Sequence, residues 1–435
     1  MPTKSIPKNT ICLVNTPCPT LDDDRLEPPL GLLYLGTVLQ RCGHYVLLMD
    51  LSSRWGSIGN SPIPDGYDAY GFSTYTASYH LTQQLRNIVR ARNPNALLMA
   101  GGPHATALPE QVSADGFDVV VKGEGEIAVQ NIMDTLNHGD APPKILAYPA
   151  PNPLDTLPFP NFDMVDLATY SRRVDGQPSL SLLSSRGCPF PCTFCNSNIM
   201  GAGKPIRFRS PENIVAELRR CKERYGVHHF RFQDDLFTIN RRRVAALTSA
   251  IGPENIIYRC FARVNNFNGN MARMLVDSGC RHVSFGVESG SPRILARHAM
   301  NKRQTPEQIT TALHAAHDVG LTTRIYLIVG FPEETDDTIV DTLTLMKSCP
   351  WDEFSVYPLI AYPGTPLHDH PEKFGITHIN KEYSDYIQVG RERQAGFTIR
   401  TNTFDEHQVS RWRDRIINEL QANGRTWAGN SAKFK

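Results

Sequence analysis

The sequence has no long hydrophobic run and no excess of charge of either sign. Its 435 residues carry 45 basic and 44 acidic side chains, a formal net charge of +1, so no long-range field recruits nucleic acid or an anionic membrane. No stretch approaches the length that spans a bilayer, and Met1–Thr10 lacks the apolar segment of a secretory leader. Targeting and anchoring are therefore unsupported, and a cytoplasmic protein is the expectation. Paired metal-binding patterns are missing too: outside one loop there is no second C-x2-C and no H-x3-H, which argues against a structural zinc site. Of the ten cysteines, those at 12, 18, 42, 221, 260, 280 and 349 are scattered singly, as expected for buried or inert thiols in a reducing compartment.

The remaining three cysteines lie in the one loop that breaks this pattern. Ser184-Ser185-Arg186-Gly187-Cys188-Pro189-Phe190-Pro191-Cys192-Thr193-Phe194-Cys195-Asn196 spaces its thiols C-x3-C-x2-C, and its glycine and prolines forbid a helix through them. Three thiolates from one short loop suit a soft metal centre, and a cubane cluster held by three cysteines keeps one iron open to a reactant. An odd number of closely spaced cysteines cannot all pair, so a disulfide staple explains the loop poorly.

Cys188, Cys192 and Cys195, with Phe194 just before the third, resemble the C-x3-C-x-aromatic-C signature of the radical S-adenosylmethionine (SAM) enzymes. That resemblance implies a 4Fe-4S cluster whose open iron chelates SAM and splits it reductively to a 5'-deoxyadenosyl radical, which takes hydrogen from a substrate carbon. It also implies an electron donor such as flavodoxin or ferredoxin.

Ahead of this loop the chain alternates strand and helix signals. Strands are expected at 11–15, 45–51, 69–73, 96–100 and 118–121, with helices from Pro28 to about Arg41 and from about Ser78 to Ala91. Alternation of this kind predicts an α/β fold with a doubly wound, Rossmann-like parallel sheet, whose strand ends are where cofactors bind. Ser73, Gly101, Gly102, Glu124 and Gly125 occupy such ends, where a plain tight turn would use glycine equally. Pro28-Pro29-Leu30-Gly31, Gly101-Gly102-Pro103-His104 and Lys122-Gly123-Glu124-Gly125-Glu126, in this order, resemble the cobalamin-binding domain joined to many radical SAM enzymes. The segment lacks the D-x-H-x-x-G that places a histidine on cobalt, and His44 and His104 have the wrong neighbours for that role. Two states follow: cobalamin bound without a histidine ligand, or a fold kept after the cofactor was lost.

Residues 141–170 are dense in proline and read as a linker between a first domain over 1–140 and a second over 171–367. In the second, strands at 227–232, 256–261, 282–287, 322–329 and 353–358 follow the strand before Cys188. These six strands predict a partial (β/α)6 TIM-like barrel, the architecture the resemblance also implies. Chemistry in such barrels gathers at the carboxyl ends of strands. Asp234 stands at one such end, either near the SAM amino group or as a helix N-cap. Arg263 resembles the arginine that relatives offer to the SAM carboxylate. Gly286-Val287-Glu288-Ser289-Gly290-Ser291 resembles a SAM-contacting element, with Glu288 placed to accept from ribose hydroxyls and Ser289 beside it. Ile328 resembles the residue that packs adenine, although Tyr326 replaces a glycine of that motif. Arg324 faces either the barrel interior or solvent.

Residues 368–435 form a mainly helical tail. Tyr383–Gly396 and Asp405–Asn423 are its expected helices, and Gly424–Lys435 is expected to be disordered. The leading expectation is cobalamin-dependent C-methylation of a small-molecule substrate by a radical SAM enzyme. The alternatives are a radical SAM dehydratase, epimerase or cyclase with a differently used first domain, and a non-catalytic cluster-binding module.

Overall fold

The computed structural model describes residues 9–18, 21, 23–54, 58–59, 61–201, 205–296, 301–387 and 395–428, which form two units, 1–170 and 171–435. In the first unit, β1 (Thr10–Asn15), α1 (Leu30–Arg41) and β2 (Tyr45–Asp50) make the opening strand-helix-strand step. They are followed by β3 (Ala69–Ser73), α2 (Tyr79–Arg92), β4 (Leu97–Gly101), α3 (Pro103–Ala107) and α4 (Pro109–Ala114). Then come β5 (Val119–Lys122), α5 (Glu126–Asn137) and β6 (Ile145–Ala147). The six strands are parallel in the order β2-β1-β3-β4-β5-β6, so the chain reverses its direction of travel between β1 and β3. Strands covered by helices on both faces are apolar throughout, and Ile11–Val14 and Val119–Val121 are buried accordingly.

The proline-dense segment 141–170 differs from the expected linker. Its Ile145–Ala147 pairs with β5 as the sixth strand, and Asn161 donates its backbone N–H to Thr37 Oγ1 at 2.8 Å. Proline restricts φ without preventing an edge strand, and Val120 to Lys122 offered the partner.

The second unit begins with a hairpin of β7 (Arg173–Val174) and β8 (Gln177–Leu182), then β9 (Ser185–Arg186), α6 (Ser197–Gly201) and β10 (Arg207–Phe208) around the cysteine loop. Next come α7 (Pro211–Tyr225), β11 (His229–Phe232), α8 (Arg241–Ile251), β12 (Ile257–Ala262), α9 (Gly269–Asp277) and β13 (Cys280–Glu288). The chain continues through α10 (Pro292–Leu295), α11 (Pro306–His317), β14 (Thr322–Val329), α12 (Asp336–Ser348) and β15 (Glu353–Pro358). It closes with α13 (Pro366–Asp369), the antiparallel pair β16 (Ile376–Ile379) and β17 (Ile399–Thr401), α14 (Glu406–Ala422) and β18 (Thr426–Trp427).

The main sheet runs β18-β15-β14-β13-β12-β11-β8-β7, six parallel strands in the middle with a short strand added at each edge. This is the partial barrel expected from the strand count. α7 is bounded by local signals: Ser210 Oγ accepts from the Asn213 N–H, and Gly226 ends it in the left-handed conformation at φ 64°.

The tail is less detached than its composition suggested. α14 lies on α12 and β15 through Val409, Trp412, Ile416 and Leu420. Thr426–Trp427, expected to be disordered, pair with Glu353–Phe354, and Trp427 stacks edge-on against Phe354 at 5.3 Å. Of the expected helix over 383–396, a single 3-10 turn forms at Tyr383–Asp385, and 388–394 lie outside the described residues. No helix among the described residues is long and apolar enough to cross a membrane.

Candidate active site

The cysteine loop leaves the end of β9 and is rooted by β11. Asp234, 1% exposed, accepts from the Ser184 N–H at 2.7 Å and from the hydroxyls of Ser184 and Ser185 at 2.5 Å each. Arg243 stands 3.6 Å from the same carboxylate and donates to the Ser184 carbonyl at 3.0 Å. Of the two readings the sequence allowed for Asp234, a SAM contact or a cap, the hydrogen bonds favour a third: a buried brace for the loop.

Other strand ends grip the loop further along. Arg263, just after β12, stacks its guanidinium on Phe190 at 3.8 Å, lies 3.6 Å from Cys192 Sγ and donates to the Lys302 carbonyl. Asn301 donates to the Pro191 carbonyl at 3.0 Å, and Phe194 packs edge-on against Phe331, beyond β14, at 5.4 Å. The Leu367 N–H reaches the Thr193 carbonyl at 3.3 Å. The loop therefore sits at the carboxyl ends of the strands, where a barrel of this kind builds its chemistry.

The donor set suits a cluster. Cys188, Cys192 and Cys195 are free of disulfides. Burial pushes the Cys188 thiol up to about 11 and raises Cys195 as well, so a metal's charge is what would hold them as thiolates. Among the described residues no three His, Cys, Asp or Glu groups close on a single ion, whereas a cubane takes one thiolate on each of three irons.

Beside the loop, Glu288 ends β13 with a left-handed backbone at φ 65°, where the pairing with β14 slips by one residue. Its carboxylate turns back over Gly286 to meet Lys302 Nζ, which also donates to the Gly286 carbonyl at 2.5 Å. A Cβ at position 286 would collide with both charged groups, so glycine is what lets the pair lie there. Lys302 was not expected: it lies in an irregular segment, and nothing local marks it as the partner of Glu288. Ile328 is half-buried on the face that β14 turns away from its helices.

Two expected residues point elsewhere. The Ser289 hydroxyl, 1% exposed, lies 3.2 Å from Thr342 Oγ1 and ties β13 to α12. Arg324 lies lower in the barrel, donating to Ser355 Oγ at 2.7 Å.

In the first unit Ser73, Gly101 and Gly102 end neighbouring strands, and Glu124-Gly125 follow β5 at the same edge. Thr74 clips this edge together, its N–H and Oγ1 both reaching the Gly101 carbonyl at 2.8 Å. Gly102 has φ 100°, and a Cβ there would lie 3.0 Å from the Thr74 carbonyl oxygen. Backbone bare of side chains at a switch-point edge fits a large planar cofactor approaching closely. His104 is fully buried, its ring 4.0 Å from that of Tyr79, and burial lowers its pKa to about 4. It is a packed core histidine at some remove from ligand duty.

Fold and site together define an iron-sulfur enzyme that activates SAM, fused to a cofactor-binding α/β unit. The profile of the Radical SAM superfamily matches residues 182–346, and that of the B12 binding domain matches residues 24–133. An uncharacterized methyltransferase of Pyrococcus horikoshii is 32% identical over 364 residues, covering 79% of this chain and 78% of the relative. An anaerobic magnesium-protoporphyrin IX monomethyl ester cyclase of Rubrivivax gelatinosus is 25% identical over 74% of this chain, which spans 62% of that longer protein. Among solved structures, the radical S-adenosylmethionine methyltransferase TsrM of Kitasatospora setae superposes with a TM-score of 0.71 over 95% of this chain and 89% of its own, at 16% identity. The chain belongs to the radical SAM superfamily, in the branch that carries an N-terminal B12-binding domain. Its cofactors are a 4Fe-4S cluster, SAM and cobalamin.

Proposed function

We propose that the protein methylates a carbon of a small-molecule substrate, the methyl group coming from cobalamin. The observation that carries this reading is the kinship of 79% of the chain, 32% identical over 364 residues, with a relative named an uncharacterized methyltransferase. When bound, the three cofactors supply the electron, the hydrogen-abstracting fragment and the methyl group. The protein's own residues hold and orient them. Cys188, Cys192 and Cys195 would hold the cluster and, as three ligands, would leave it open to SAM. Glu288, steadied by Lys302, would accept from the ribose hydroxyls, and Ile328 would cover adenine. Arg263 and Asp234 position the loop from its two sides, and Phe194 locks it against Phe331. Ser73, Gly101, Gly102, Glu124 and Gly125 line the cobalamin edge. An external donor such as flavodoxin or ferredoxin delivers electrons to the cluster.

Anaerobic turnover of reconstituted protein with SAM, cobalamin, a reductant and candidate substrates tests this. Methyl transfer predicts S-adenosylhomocysteine alongside 5'-deoxyadenosine. The cyclase relative supports a second reading, in which 5'-deoxyadenosine forms without S-adenosylhomocysteine, and that product pattern overturns methylation. Cys188→Ala is expected to abolish both products.

A further inference from the structure

The interior of the barrel carries a feature that cofactor binding does not use. On β14, Ile325, Leu327 and Val329 are at most 1% exposed against the helices, whereas Tyr326 and Ile328 between them keep part of their surface. Phe261 of β12 and Tyr357 of β15 are likewise half-buried on the interior face. The interior rings thus keep some accessible surface, while Arg259 and Arg324 on the same face are 2% and 6% exposed.

The interior face carries flat rings with guanidiniums packed against them. Phe261 and Tyr326 stack at 6.2 Å with planes 27° apart, and Tyr326 and Tyr357 at 5.9 Å with planes 18° apart. Arg231 stands 5.2 Å over Phe261, Arg259 stands 6.0 Å over the same ring, and Arg324 stands 5.2 Å over Tyr326. Strand pairing sets Arg231 beside Arg259, and hydrogen bonds to Ser284 and Ser355 aim Arg259 and Arg324.

The charges feel one another. Burial pushes Arg259 down to about 9, with Arg231, Arg172 and Arg324 adding to the shift and Tyr326 opposing it. Burial would raise the Tyr326 phenol, yet Arg324, Arg259, Arg231 and Arg172 outweigh it and hold it below its ordinary range. Among the described residues, acids whose fields reach this region include Glu353, held above the usual carboxylate range by burial, and the exposed Asp175 and Asp352, whose fields reach His282. Clustered guanidiniums in a confined interior are costly to bring together, and an oxyanion accepting their paired N–H groups relieves that cost.

We propose that the barrel interior is the receptor for an anionic substrate. Its carboxylate or phosphoryl group is gripped by Arg231, Arg259 and Arg324, its body lies along Phe261, Tyr326 and Tyr357, and its reacting carbon points toward the cysteine loop. This rests on the substrate entering the second unit of a radical SAM enzyme and not on methyl transfer as the outcome.

Calorimetric titration of the reconstituted holoenzyme with phenyl phosphate, benzoate and uncharged benzyl alcohol is the test. Both anions, or one of the two, are expected to bind at least roughly tenfold tighter than the alcohol, and the preferred one identifies the oxyanion class. Arg231→Met and Arg259→Met should each weaken that anion roughly tenfold to a hundredfold, with Arg231→Lys, which keeps charge but loses the fork, falling between. Equal binding of the alcohol and both anions, or anion binding unchanged in a folded Arg231→Lys protein and in whichever methionine variant folds, overturns the proposal. Binding is read without turnover, so loss of methyl transfer alone leaves it standing.

Discussion

At the scale of single residues, the site depends on partners that come from far along the chain. Glu288 and Lys302 are both buried and paired, so Lys302→Met leaves a carboxylate without its counter-charge and is expected to cost about 3–5 kcal/mol. Urea unfolding measures this, and Lys302→Arg should recover most of the loss. Glu334 presents the opposite case: it is 1% exposed, and burial raises its pKa to about 8 although it accepts from the Gly330 N–H at 2.5 Å. A carboxyl that stays protonated in the fold but ionises near 4.5 when unfolded stabilises fully below that pH, and its contribution falls away up to about pH 8. Glu334→Gln is therefore expected to be nearly neutral at pH 5 and to stabilise by on the order of a few kcal/mol at pH 8.5, read from denaturation midpoints at the two pH values. The cysteines stand out in the sequence by their spacing and Glu288 by the family resemblance of Gly286–Ser291, both short local patterns. The sequence left Asp234 divided between ligand and cap, since its actual partners, Ser184 and Ser185, are met only through folding.

At the scale of elements, what was legible depended on whether an element carries its own signals. β14 and β15 match their expected bounds, 322–329 and 353–358, because β-branched and aromatic runs there are flanked by turn residues and helix caps. α7 carries such local signals as well, in Ser210 and Gly226 at its two ends. β6 and β18 escaped notice because each is a short edge strand, formed only when a finished neighbour offers its free hydrogen-bonding edge. α14 owes its place to tertiary contacts as well: the Trp412 indole N–H donates to Asp336 at the start of α12 at 2.7 Å, and its ring packs on Phe404 at 5.5 Å. Trp412→Phe keeps the packing and removes the donor, with an expected loss of about 1 kcal/mol in the second unit's stability, measured by chemical denaturation.

At the scale of the whole molecule, two units with separate cores and separate cofactors predict two calorimetric transitions on heating. Cobalamin at a hundredfold excess over its Kd should stabilise one transition by about 2.7 kcal/mol, and SAM added to cluster-loaded protein should move the other. A single transition shifted equally by both ligands would show that the units unfold together. The sequence conveyed the family but not the grouping of Arg231, Arg259 and Arg324, because these guanidiniums lie on three strands and are brought together only by the pairing and order of strands in the folded sheet. The brace at Asp234 has a last consequence. Its hydrogen bonds to Ser184 and Ser185 are made entirely by protein atoms, so the mould survives when the inorganic casting is lost. After oxygen damage, fresh iron and sulfide are then expected to restore the cluster without refolding of the chain, which return of cluster absorbance in never-unfolded protein checks.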